Sequence, residues 1–102
     1  MVRSELLEAL CKKLPDHFKP RDVELAVNYM IKQMTEALEL GERIEIRDFG
    51  SFSIRTRPAR LARNPKTGES VTLPSKSVVH FKPGKQMKDR VNSALGKCSV
   101  KD

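Results

Sequence analysis

Between Ile54 and Glu69 the chain places Arg55, Arg57, Arg60, Arg63 and Lys66 with no acidic residue among them. Cations at this density repel one another unless phosphates or other anions neutralise them, so the chemistry on offer is polyanion binding. The same stretch contains "RNPKTGE", in which Asn64-Pro65 opens a turn and Gly68 closes it. That punctuation between extended residues predicts a hairpin arm projecting from the body. Leu61 is its one large apolar residue, so the arm cannot pack as core. A two-stranded ribbon with arginines fits the minor groove of duplex DNA and reads it by width and by the A·T against G·C edge pattern. Pro65 at the tip admits two roles: a rigid, donor-less wedge that enters a base step and kinks the duplex, or a plain turn former. Residue chemistry leaves both open, as it does a solvated hairpin whose charge only aids solubility.

A second anion site is expected at "HFKPGK", residues 80–85, where Gly84 starts a helix with unpaired backbone N–H groups flanked by Lys82 and Lys85. His17 and His80 each stand alone, without partnered His, Cys or acid at ligand spacing. Neither is read as a metal ligand or catalytic base, and no nucleophile constellation is present. No catalytic residue, metal or cofactor is therefore expected. Cys11 and Cys98 fit neither a disulfide framework nor a metal site and read as free thiols, Cys11 as a small core residue.

The elements that must hold these residues come from one small domain of 102 residues. Its 20 Lys and Arg against 13 Asp and Glu give a formal net charge of +7, and the charge is unevenly placed. Residues 1–48 carry −2 and residues 49–102 carry +9. Nucleic acid is the commonest partner for such a field, although an acidic protein gripped by the basic arm would satisfy it too. No apolar run is long enough to span a membrane, no signal-peptide core follows Met1, and no segment is both strongly amphipathic and uniformly basic. A soluble, cytoplasmic protein is expected.

In "RSELLEALCKKL", Leu7, Leu10, Cys11 and Leu14 form the stripe of an amphipathic helix. A second helix opens at Pro20 and carries Val23, Ala26, Val27, Met30, Ile31, Met34, Ala37 and Leu38 in 3-4 rhythm up to Gly41. Met30 and Met34 read as core. At about 30 Å this helix is longer than the first can cover, and the surplus stripe is a reason to dimerise. The period then changes to two. "RIEIR" and "DFGSFSIRTRPAR" alternate as antiparallel strands joined around Phe49-Gly50, "SVTLP" returns from the arm, "SVVHF" is a further strand, and "PGKQMKDRVNSAL" is a last helix. "GKCSVKD" reads as a polar, frayed tail.

The blocks "GERIEIRDFGSFSIRTRPAR", "RNPKTGE" and "VVHFKPGK", in this order, resemble the HU and integration host factor family of bacterial nucleoid proteins. "GERIEIR" and "HFKPGK" are most similar to its beta-type chains. The resemblance runs from about Arg3 to Leu95. It implies an α+β fold: an intertwined dimer with a helical body, a three-stranded antiparallel saddle per chain and a protruding β-ribbon arm, roughly residues 55–74. Residues 1–95 would form the DNA-binding domain and 96–102 the tail.

By the same resemblance the protein is an architectural one that bends double-stranded DNA, associates with the nucleoid, and serves recombination, replication and transcription. Pro65 matches the intercalating proline of such proteins. Arg55, Arg57, Arg60, Arg63, Asn64 and Lys66 would line the groove or the phosphates, and Lys82, Gly84 and Lys85 would clamp flanking DNA. Glu45 and Arg47 match positions tied to sequence preference; the alternative for them is an ordinary cross-strand surface pair. The partner chain is a second copy or a related alpha-type subunit. Four positions depart from the family pattern. Asp48 replaces the first glycine of "GFG", which implies either a less tight strand connection or one that needs no positive φ there. Leu61-Ala62 makes the arm more apolar and stiffer. Val79 replaces a proline, as in alpha-type chains.

Overall fold

The computed structural model describes residues 1–96. The chain divides into two compact units, the first Met1–Ala37 and the second beginning at Leu38.

The first unit is helical. Helix α1 spans Arg3–Lys13, and Leu7, Leu10, Cys11 and Leu14 are all half-buried, as their spacing requires. It stops because Leu14 precedes Pro15, whose ring excludes the helical conformation for its neighbour; Leu14 is extended, at φ −86° and ψ 152°. Helix α2 spans Pro20–Glu39. It is followed by Gly41 at φ 77°, whose N–H donates to Leu38 O at 3.0 Å, the glycine-terminated ending expected of it. The Arg3 guanidinium donates to Asn28 Oδ1 and so ties the two helices side by side.

Val23 and Val27, one turn apart on α2, are the two buried apolar side chains among the described residues. Met34 is half-buried, but Met30 is 62% exposed and Ile31 beside it 48%. The core assignment of Met30 therefore fails within one chain. Val27 and Met34, one turn to either side on the stripe, are covered, whereas Met30 and Ile31 between them meet no apolar surface of this chain that closes over them.

In the second unit, strands β1 (Ile44–Ile46), β2 (Gly50–Arg57) and β5 (Lys76–Pro83) form an antiparallel sheet in the order β1-β2-β5. Strands β3 (Arg60–Arg63) and β4 (Ser70–Leu73) pair separately as a two-stranded ribbon. The one long strand read over 48–60 is therefore two. Pro58 and Pro74 lie in the gaps between the ladders, where each removes a donor, so pairing stops after Arg57↔Lys76 and resumes at Arg60↔Leu73.

The pleat sorts the sheet by chemistry. Ile44, Ile46, Phe52, Ile54, Val79 and Phe81 share one face, with Thr56 and Ser77 at its far end; Glu45, Ser51, Ser53, Arg55, Arg57, Lys76, His80 and Lys82 share the other, with Val78 the one apolar residue among them. On the apolar face the rings of Phe49, Phe52 and Phe81 cluster with centroids 4.8–6.5 Å apart. Val79, where the beta-type pattern has proline, pairs with Ile54 in the middle of an unbroken β5.

The connection between β1 and β2 corrects one expectation. Asp48 does adopt a positive φ, 66°, and the turn is tight, with Phe49 N–H donating to Ile46 O at 3.1 Å. Aspartate is among the few side chains that tolerate this left-handed region, so glycine chemistry is retained without glycine. Gly50, next along, is buried, and a Cβ there would lie 2.6 Å from Lys82 O and 2.7 Å from the Phe81 ring. Helix α3 then runs Lys85–Ser93. Gly50→Ala is expected to cost about 1–3 kcal/mol through this overpacking. Thermal unfolding by circular dichroism checks it, and a midpoint equal to wild type would show that the strands part without strain.

Candidate nucleic-acid interface

Two cationic features are built from the second unit. The first is a concavity at the β1–β2 end of the sheet, lined by Arg43, Arg47, Lys82, Lys85 and Lys88 together with Glu45, Asp48, Ser51 and Gly84. Five cations face two acids, so an anion is drawn there. The register explains the gathering: Ser51↔Lys82 places Lys82 across from the strand that follows the Asp48 turn, and Gly50↔Pro83 brings the start of α3 to the same corner. The structure thus brings Glu45 and Arg47 to the same corner as Lys82, Gly84 and Lys85.

Two details differ from the sequence-based expectation. Glu45 lies opposite Ser51, and its carboxylate meets Arg43 at 3.6 Å, with both side chains mostly exposed. A cross-strand pair of Glu45 with Arg47 is therefore absent; Arg47 sits in the turn beyond β1. Gly84 also does not leave its own N–H free, because it donates to Phe49 O at 2.9 Å and so fastens the start of α3 to the turn before β2. What remains for an anion is the N–H groups of the first turn, which no side chain caps. Arg43 and Lys88 were missed in sequence. Arg43 could have been found as the other outward residue of the "RIEIR" alternation, Lys88 by its three-residue spacing from Lys85.

The second feature is the ribbon. Arg55 and Arg57 lead to it along the polar face of β2, and Arg60, Arg63, Asn64, Pro65 and Lys66 lie on it. Across β3–β4, Arg60 faces the same way as Ala62, Val71 and Leu73, whereas Arg63 shares the opposite face with Leu61, Ser70 and Thr72. Both faces therefore carry a cation. Leu61 is 75% exposed.

The tip is closed by Asn64 and Gly68. Asn64 N–H donates to Glu69 O at 2.8 Å, Gly68 N–H donates to Asn64 O at 2.8 Å, and Asn64 Oδ1 accepts from Lys66 N–H at 2.9 Å. Gly68 holds a φ of 74°. Pro65, exposed at the tip, takes no part in these bonds.

A basic ribbon and a cationic corner on an antiparallel sheet define a polyanion-binding α+β protein. Comparison with known proteins narrows the class. A family model described as bacterial DNA-binding protein matches residues 1–92. Integration host factor subunit beta of Methylococcus capsulatus is 63% identical over 93 residues, 91% of this chain and 97% of that one. The same subunit of Halorhodospira halophila is 58% identical over 94 residues, covering 92% and 91%. Among solved structures, the Anabaena HU-DNA cocrystal structure matches with a TM-score of 0.78 at 31% identity, over 89% of this chain and 97% of that chain. The chain belongs to the bacterial DNA-binding protein family, and the resemblance carried by "GERIEIR", "RNPKTGE" and "HFKPGK" is borne out.

Gly68→Ala is expected to destabilise the tip by about 1 kcal/mol, because alanine does not readily hold a positive φ. Faster amide exchange confined to residues 64–69, with an unchanged global melt, is the expected signature; slowed or unchanged exchange there would place the strain elsewhere.

Proposed function

We propose that this chain is a beta-type architectural protein that bends duplex DNA, inserting its ribbon in the minor groove and Pro65 between base pairs. The observation that carries the reading is the ribbon: cations on both faces and a proline at the tip that its own turn does not use for hydrogen bonding. Strands in such a ribbon are about 4.8 Å apart and the minor groove is about 6 Å wide. Whichever face meets the groove floor, an arginine on the other reaches toward the phosphates at the rim. Four residue pairs at about 3.3 Å cover roughly four base steps, which sets Pro65 against the stack beyond them.

In this reading Arg55, Arg57, Arg60, Arg63, Asn64 and Lys66 contact the groove and backbone. Lys82, Gly84 and Lys85, joined by Arg47, hold flanking DNA at the cationic corner. Glu45 acts on sequence preference through the Arg43 it touches. Sharp bending costs several kcal/mol by elastic estimates, roughly 1–6 for a site of 20–30 base pairs, and the wedge and clamped flanks must offset that. The role requires no catalysis. Residues 1–95 form the DNA-binding unit and 96–102 an appended tail; Cys98 and most of that tail lie outside the described residues. No described helix is long and apolar enough to cross a membrane, and a nucleoid-associated, cytoplasmic setting follows from the DNA partner.

The working unit is a two-fold pair, with a second copy or a related alpha-type chain. Met30 and Ile31 on α2, and Ile46, Val79 and Phe81 on the apolar sheet face, are exposed in one chain. Apolar faces of this extent are closed by a partner. Native mass spectrometry, alone and with a duplex of about 35 base pairs, is expected to give twice the chain mass in both; a monomer bound to DNA would remove the pair.

Pro65→Ala is expected to keep most of the affinity and lose bend angle, read by energy transfer between the duplex ends. An unchanged angle leaves Pro65 a turn former. Arg60→Ala with Arg63→Ala should lower the slope of log K against log salt by about 0.9 for each lost phosphate contact. A gel shift with random and nicked duplexes separates the rival role, a basic arm gripping an acidic protein, which predicts no DNA binding at moderate salt.

A further inference from the structure

Along the polar face of the sheet each rung of the β2–β5 ladder but one pairs residues that tolerate each other: Ser51 with Lys82, Ser53 with His80, Arg55 with Val78. The last rung sets Arg57 directly opposite Lys76. Opposed residues on one face have Cβ atoms about 5 Å apart, and like charges so placed weaken the pairing. Among the described residues no acid lies within ion-pair distance of either. The single ion pair among the described residues is Arg43 with Glu45, at the opposite end of the sheet, and both Arg57 and Lys76 are exposed. Pro58 and Pro74 end the ladder beside them, so this unfavourable rung sits at the point where the three-stranded sheet stops and the ribbon departs.

We propose that Arg57 and Lys76 form a phosphate clamp at the base of the arm, with Lys76 a DNA-contact residue additional to those along the ribbon and at the corner. This inference rests on the DNA-bending reading above. A phosphodiester between the two side chains turns mutual repulsion into two charge-assisted contacts, the guanidinium supplying a fork and the ammonium a point charge. Held there, the phosphate bridges both strands at the level where pairing is interrupted, and so sets the place on the duplex from which the ribbon enters the groove.

The test uses the full chain, its Lys76→Gln and Lys76→Glu variants, and a duplex of about 35 base pairs, with affinity measured by anisotropy across salt and the free proteins melted in parallel. Lys76→Gln is expected to lower the slope of log K against log salt by about 0.9 per substituted chain. Its free-protein melting midpoint should equal or exceed that of wild type, because a repulsion has been removed. Lys76→Glu, which restores an opposite-charge rung with Arg57, should bind DNA less well still and melt higher. A merely structural lysine would move both readouts downward together. An unchanged salt slope for Lys76→Gln, or a Lys76→Glu protein that melts below wild type, overturns the clamp while leaving DNA bending intact. A wild-type chain that binds no duplex overturns both.

Discussion

Cations that form no ion pair among the described residues, from Arg55 to Lys66 and again at Arg47, Lys82, Lys85 and Lys88, set the terms on which the rest of the structure holds together. Same-face residues on a strand lie about 6.6 Å apart, within the screening length of about 8 Å at physiological salt, so solvent ions do not silence their repulsion. A stretch in that condition cannot collapse onto a core and is left as a ribbon. Its order comes from tight local bonds at Asn64 and Gly68 and from the antiparallel ladder behind them. A surface built this way gains most when a phosphate backbone replaces its counterions.

Everything apolar must then be arranged on the other side. The period of two in β1, β2 and β5 places Ile44, Phe52, Ile54 and Phe81 away from the cations, and the Phe49–Phe52–Phe81 cluster fills the ground beneath the β1–β2 turn. Gly50 makes the close approach possible, since any side chain would strike the Phe81 ring or the Lys82 carbonyl. The same glycine seats Lys82 and the start of α3 at the cationic corner, so packing on one face determines charge geometry on the other. The exposed remainder of the apolar face, with Met30 and Ile31 of α2, is surface that a single chain of this size has no means to close.

Much of this was legible in sequence because it depends on periods and punctuation. The helix limits at Pro20 and Gly41, the alternation through Ile44 and Ile46, and the turn at Asn64–Gly68 all follow from local backbone preferences that need no knowledge of the rest of the chain. Readings failed where a neighbour distant in sequence decides the outcome. Met30 fits the pattern of a core residue and is exposed, because the stripe marks which face is apolar but not whether anything reaches it. The helix start at Gly84 leaves first-turn N–H groups free of a side-chain cap, but the N–H of Gly84 itself is already taken by Phe49 O, thirty-five residues earlier. Aspartate at position 48 suggests a relaxed turn, yet Asp48 keeps the left-handed conformation that glycine would take there.

The residues alone determined that this protein binds a polyanion with a projecting basic hairpin and that its helices need more cover than one chain supplies, because charge density and hydrophobic period are properties of a string. Only the folded chain decided that Arg60 and Arg63 point to opposite faces, that Arg57 meets Lys76, and that Arg43 and Lys88 join the corner. Those facts depend on strand register, and register is a relation between segments. Pro58 and Pro74 break the ladder together only once residues fifteen or more apart are set side by side.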